Sequence, residues 1–247
     1  MQHSPALRES SITYLTGSGV TSPRPSSVGQ KFDEHGTVLR FPGNTFICHI
    51  PQNSLAHYAL AEASETLQSG TFAGAFSFLP PSSFHMTVFE GVADANRNVS
   101  KWPTSISNDA AIEVVTQQFQ SSTVEFELPA KQLIRPTGIF GGFSVAVTGL
   151  TAEDENSLRR NRKMLRDMTG IHADDFADYQ FHITLAYLLR WLTVAEAEAV
   201  MDLSNNVFER MHDRCPQIAL GGVEFCTFEN MHAFKPIRVL SGGHTGS

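Results

Sequence analysis

Phe84-His85-Met86-Thr87-Val88 and Phe181-His182-Ile183-Thr184-Leu185 carry one frame, Phe-His-apolar-Thr-apolar, twice in the same chain. Each copy sits in a hydrophobic run, SSFHMTVFEGV and YQFHITLAYLL, that reads as a β-strand. Side chains at i and i+2 of a strand share a face. His85 therefore projects with Thr87, and His182 with Thr184, while the apolar residues of each frame point the other way. An apolar set of this kind packs under a helix and leaves each His–Thr pair on a face open to a ligand. A motif repeated at half-domain spacing predicts two similar lobes. The two polar pairs converge if a pseudo-twofold relates those lobes.

The information lies in the frame rather than in His-x-Thr alone. His35-Gly36-Thr37 also fits His-x-Thr, but it lies at a glycine turn without the apolar surround and reads as a coincidence.

Outward from the motifs, helical and strand signals alternate. Residues 1–43 contain the Ser-, Gly- and Pro-rich stretch TGSGVTSPRPSSVG, which predicts an irregular arm with a short hairpin at His35-Gly36. NTFICHI (44–50) reads as a buried strand. Leu55, Ala59, Ala63 and Leu67 fall at helical spacing, with Asn53 or Ser54 as cap and Gly70 as terminator. Pro80-Pro81 divides FSFLP from the first motif strand. Residues 109–120 predict a helix opened by Asp109. Residues 151–169 predict another, capped by Thr151, with acids first, bases later and Gly170 at its end. Residues 193–211 form a third, where Glu196 follows Thr193 by three positions. VEFELPAKQLIRPTGIFG, FSVAVTGL, IALGGVEFCTF and MHAFKPIRVL read as strands. The expected fold is α+β: two pseudo-symmetric lobes, each an antiparallel sheet with helices on its outer face, enclosing a central cleft. This domain is expected over residues 44–240, with 241–247 as a flexible tail.

Composition narrows the function. The chain has 247 residues, 41% hydrophobic, with 18 phenylalanines, enough for one large domain or two packed lobes. Its formal charge of -7 and the lack of any basic run argue against long nucleic acid as a partner. Cys48, Cys215 and Cys226 have neither the number nor the spacing of a disulfide framework or a zinc ribbon. No leader-like or membrane-length apolar run is visible, so a cytoplasmic protein without membrane contact is expected. The oligomeric state is open at this stage. His-Glu-x-x-His, a phosphate-binding glycine loop before a helix and Gly-x-Ser-x-Gly are all absent.

In the two frames, and in strand–helix order over roughly residues 44–240, the chain resembles the two-histidine (2H) phosphoesterases. These include RNA 2′,5′-ligase-like proteins and cyclic nucleotide phosphodiesterases. The resemblance implies hydrolysis of a cyclic phosphodiester without metal or cofactor. The substrate would be a nucleoside 2′,3′-cyclic phosphate or a related small nucleotide or short RNA end. It implies His85 and His182 as catalytic residues, and Thr87 and Thr184 as ligands of the phosphate. The residue types suit the task. Imidazole titrates near neutrality, at about 6.5. One ring can take a proton from attacking water while the other protonates the departing oxygen on the far side of phosphorus. Threonine hydroxyls can donate to the non-bridging oxygens. Sequence leaves open which histidine is the base. Phe89 shares strand parity with Thr87 and is a candidate to stack on a base; Arg135, Phe140, Arg190 and Trp102 are further candidates for substrate contact. Two other readings remain: a nucleotide- or RNA-end-binding module without turnover, and RNA ligation by the same residues. The acidic charge makes ligation less attractive.

Overall fold

The computed structural model describes residues 5–129 and 131–240. The strands are β1 (Gly43–His49), β2 (Phe76–Phe78), β3 (His85–Ala93), β4 (Gln132–Phe140), β5 (Ser144–Gly149), β6 (His182–Thr184), β7 (Ala186–Leu188), β8 (Ile218–Leu220), β9 (Glu224–Asn230) and β10 (Ala233–Val239). The helices are α1 (Pro5–Thr16), α2 (Leu55–Gln68), α3 (Ile112–Ser122), α4 (Ala152–Thr169) and α5 (Val194–Arg214). The fold is mixed α+β, as expected.

Where two separate sheets were expected, eight strands form one antiparallel sheet in the order β10-β9-β1-β3-β6-β5-β4-β8. Its two four-strand halves meet where Met86 of β3 pairs with Ile183 of β6. The sheet curls strongly: the ring of Phe234 on β10, three strands from β3, lies 4.2 Å from the His85 ring between centroids. The second motif run, read as one strand, divides at Leu185. Its first part joins the main sheet as β6, and its second pairs with β2 as β7. IALGGVEF likewise divides into β8 and β9 at Gly221-Gly222, which lets the chain pass from one half of the sheet to the other.

Local chemistry explains the helix starts. Ser54 accepts from the His57 N–H at the head of α2, while Asn53 takes a positive φ of 62° just before it. Thr151 and Asp154 form a capping box on α4, and Gly170 closes that helix at φ 69°. Thr193 and Glu196 form a second box on α5. α3 begins at Ile112, later than expected, because Asp109 bonds the Ser107 hydroxyl instead of capping a helix.

The N-terminal arm departs most from expectation. Pro5–Thr16 is an α-helix, not irregular chain. Its polar composition hides a tertiary cause: Leu15 is fully buried against Phe143, Leu192 and Val200, and Ser11 accepts from the Gly141 N–H. The expected hairpin is reduced to isolated bridges, including Phe32 with Val38. At its turn Gly36 has φ 83°, and the Asp33 carboxylate accepts from the N–H groups of His35 and Thr37. The 241–247 tail lies outside the described residues.

One core cluster takes in both motif strands and the helices behind them, with Phe46, Phe84, Met86, Phe119, Phe181 and Ile183 fully buried. No helix among the described residues is long and apolar enough to cross a membrane.

Candidate active site

The pairing of Met86 with Ile183 fixes everything around it. In that antiparallel register His85 stands across from Thr184, and Thr87 across from His182. All four are half-buried on one face, whereas Met86, Val88, Ile183 and Leu185 are fully buried on the other. The histidines are diagonal neighbours, which sets them about 7–8 Å apart. The local pseudo-twofold runs through the Met86–Ile183 pair. Neighbouring strands extend the face: His49 pairs with His85, Ser144 with Thr184 and Ala146 with His182.

The two imidazoles are held alike. His85 Nδ1 lies 2.7 Å from the Ser83 carbonyl oxygen, and His182 Nδ1 lies 2.9 Å from that of Gln180. A carbonyl only accepts, so each Nδ1 carries the hydrogen and donates it. Each Nε2 is left as the atom free for chemistry. The surroundings then differ. Phe234 covers His85, and this desolvation is the main force pushing its pKa down to about 4. The Ser83 bond opposes that shift, while His49, His182 and Lys31 add to it. His85 is accordingly a neutral imidazole at physiological pH.

Beneath this face, α4 holds both motif strands. Arg162 is buried and donates 2.6 Å to the Val88 carbonyl, one residue past Thr87. Its guanidinium stacks 3.7 Å over the ring of Tyr179, whose hydroxyl bonds the Thr87 carbonyl. Arg159 donates 2.6 Å to the Tyr179 carbonyl, on the approach to β6. Burial drives the Tyr179 hydroxyl pKa up and the Arg162 pKa down. Sequence reading missed these arginines because they look like two more charges on an exposed helix. Buried Leu158, Asn161 and Leu165 at helical spacing around them were the available signal.

The other candidates separate clearly. Phe89 does not flank the site. The β1–β3 register slips between Phe46–Phe89 and Ile47–Thr87, and this bulge turns Phe89 into the core beside Val88, leaving it 2% exposed. Trp102 is also buried, its Nε1–H donating to the Ser107 carbonyl. Arg190 is bound to Glu196 at 2.8 Å and serves the head of α5. Phe140 reaches the histidine face by parity, but its ring lies against Tyr14 of α1, 5.1 Å between centroids. Arg135 is exposed on that face, across from Thr148 and two strands from His182. Two neighbours of His85 had no sequence signal at all, Phe234 and His49. A cavity of about 640 Å³ between α1, Arg24 and Trp191 contains none of the motif residues. The four motif residues are instead half-buried on the face of the sheet.

No curated protein matches the chain. Among solved structures, a conserved protein of unknown function from Agrobacterium tumefaciens is 29% identical. That match covers 93% of this chain and 98% of the other, with a TM-score of 0.85. Residues 31–137, which contain His85 and Thr87 but not the second motif, match the family model described as "2H-phosphodiest: Domain of unknown function (DUF1868)". Over that segment, somewhat under half of its length, the chain is similar to the 2H phosphoesterases.

Proposed function

We propose that the protein is a metal-independent phosphodiesterase that opens a cyclic phosphodiester, of the class of a nucleoside 2′,3′-cyclic phosphate or a related small nucleotide. The observation that carries this reading is the β3–β6 pairing, which places two His–Thr pairs on one face with each Nε2 unengaged. Thr87 and Thr184 hold the non-bridging oxygens of a phosphate seated between the strands. His85 Nε2 accepts a proton from water as the water oxygen bonds to phosphorus. The P–O bond to the ribose oxygen breaks, and His182 Nε2 donates the proton that this oxygen takes up. The product is a phosphomonoester. His85 suits the base role because it is neutral before the reaction begins. His182, on the opposite end of the diagonal, suits the acid. The acidic chain favours a small substrate over RNA ligation.

The test is a hydrolysis screen of the purified protein with EDTA present. Four nucleoside 2′,3′-cyclic phosphates and ADP-ribose 1″,2″-cyclic phosphate serve as substrates. His85→Ala and His182→Ala should each lose about 10²–10⁴-fold in kcat. Tight binding without turnover by wild type would replace the enzyme with a binding module. Equal turnover by all three proteins would remove the histidines from the mechanism.

A further inference from the structure

Beside His85 three side chains with metal-ligating donor atoms come together. His49 stands on β1 across from His85, with 6.3 Å between their ring centroids. Glu224 and Cys226 share a face of β9, next to β1. His49 Nδ1 lies 2.5 Å from Glu224 Oε2, and Cys226 Sγ lies 3.8 Å from that same oxygen. The three donor atoms all fall within 4.8 Å of one another. None of the three is used by the proposed phosphodiester chemistry, and none was singled out by the sequence motifs.

We propose that His49, Glu224 and Cys226 form a binding site for a borderline-soft divalent cation of the zinc type. The donor set is nitrogen, oxygen and sulfur, which selects such ions over magnesium or calcium, both of which prefer all-oxygen shells. Donor atoms around a tetrahedral ion at ordinary zinc–ligand lengths of about 2.0–2.3 Å are separated by distances of this order. Small rotations of the Glu224 and Cys226 side chains suffice.

Charge balance supports the same ion. Without metal, Oε2 of Glu224 takes the hydrogens of both the imidazole and the thiol. A divalent ion replaces both contacts. His49 binds through Nδ1, Glu224 through its carboxylate oxygen, and Cys226 as the thiolate, whose proton leaves to solvent. Two positive charges meet one thiolate and one carboxylate, so the loaded site is neutral. Neutrality matters because Cys226 is fully buried and the two partners are only about a fifth exposed. A monovalent ion would leave a net negative charge in that position. The partial exposure of His49 and Glu224 gives an ion a path into the site.

Cobalt(II) chloride is the probe, added to the full chain in stoichiometric steps. The expected result is a near-ultraviolet thiolate-to-cobalt charge-transfer band that saturates at one equivalent. Visible absorption of tetrahedral intensity should accompany it, and zinc should bleach both. Calorimetry in buffers of different ionisation enthalpy should report proton release on binding. Cys226→Ser should abolish the band, and His49→Gln and Glu224→Gln should each weaken affinity more than about tenfold. Melting curves identify any variant that fails to fold, and the remaining variants carry the test. No saturable band in wild type, or a band undiminished in Cys226→Ser, would overturn the site. Each readout is of binding, so either result leaves the phosphodiesterase reading as it stands.

Discussion

Met86→Ala tests whether the β3–β6 seam both holds the sheet together and positions the proposed catalytic face. Met86 is fully buried, pairs with Ile183 across the seam and lies between His85 and Thr87 in sequence. Truncating a buried methionine to alanine costs about 2–5 kcal/mol through lost burial and the cavity left behind. At this chain length each kcal/mol lowers Tm by about 2–4 °C, so the expected fall is about 4–20 °C. Ile183→Val alone removes one methylene and costs about 0.5–1.5 kcal/mol. The two residues are cross-strand partners buried on the same face, so the double variant should depart from additivity by about 0.5–3 kcal/mol. Calorimetry and urea denaturation of the four proteins complete the cycle. One transition is expected throughout, because a single core cluster spans both halves of the sheet. Under the proposed mechanism activity should fall with stability, since a displacement of about 1 Å between the proposed base, His85, and the proposed acid, His182, costs on the order of 100-fold. Additive costs, or two resolved transitions, would refute the seam as the shared support of the two histidines.

Three further outcomes follow from the same geometry. The folded-state pKa of His85, about 4, lies below the ordinary 6.5, so as pH falls through that window the unfolded chain takes up a proton that the folded ring refuses. Stability contributed by this residue is therefore intact above pH 6.5 and lost toward pH 4, and His85→Gln should flatten that part of the denaturation profile; an unchanged profile would contradict the burial argument. Gly91→Ala places a Cβ 2.1 Å from Asn44 Oδ1 and 2.4 Å from the Asn44 backbone oxygen, inside contact distance, so it should lower Tm sharply or abolish soluble expression. Arg190→Ala removes the Glu196 pair at the head of α5 and should leave kcat/KM unchanged; a raised KM would return Arg190 to the substrate site.

The duplicated frame held most of what the sequence could tell. Alternation along a strand is a local property, so which face His85, Thr87, His182 and Thr184 share is legible from four or five residues. The same locality makes the capping boxes at Thr151 and Thr193 readable, since each involves residues three apart. Where a local rule is interrupted, local reading fails: a single bulge beside Val88 moves Phe89 from the expected groove wall into the core. α1 forms because Leu15 finds a pocket built by Phe143 and Val200, residues that its own sequence does not contain. The joining of two expected sheets into one depends on a single cross-strand pair, Met86 with Ile183, between distant parts of the chain. His49, Glu224 and Cys226 lie beside His85 through the β1–β3 and β1–β9 pairings, Phe234 through the curl of the sheet, and Arg162 through the packing of α4 on β3. Sequence determined the chemistry of the two strands; only the tertiary structure decided what surrounds them, because burial and long-range register are properties of the whole chain.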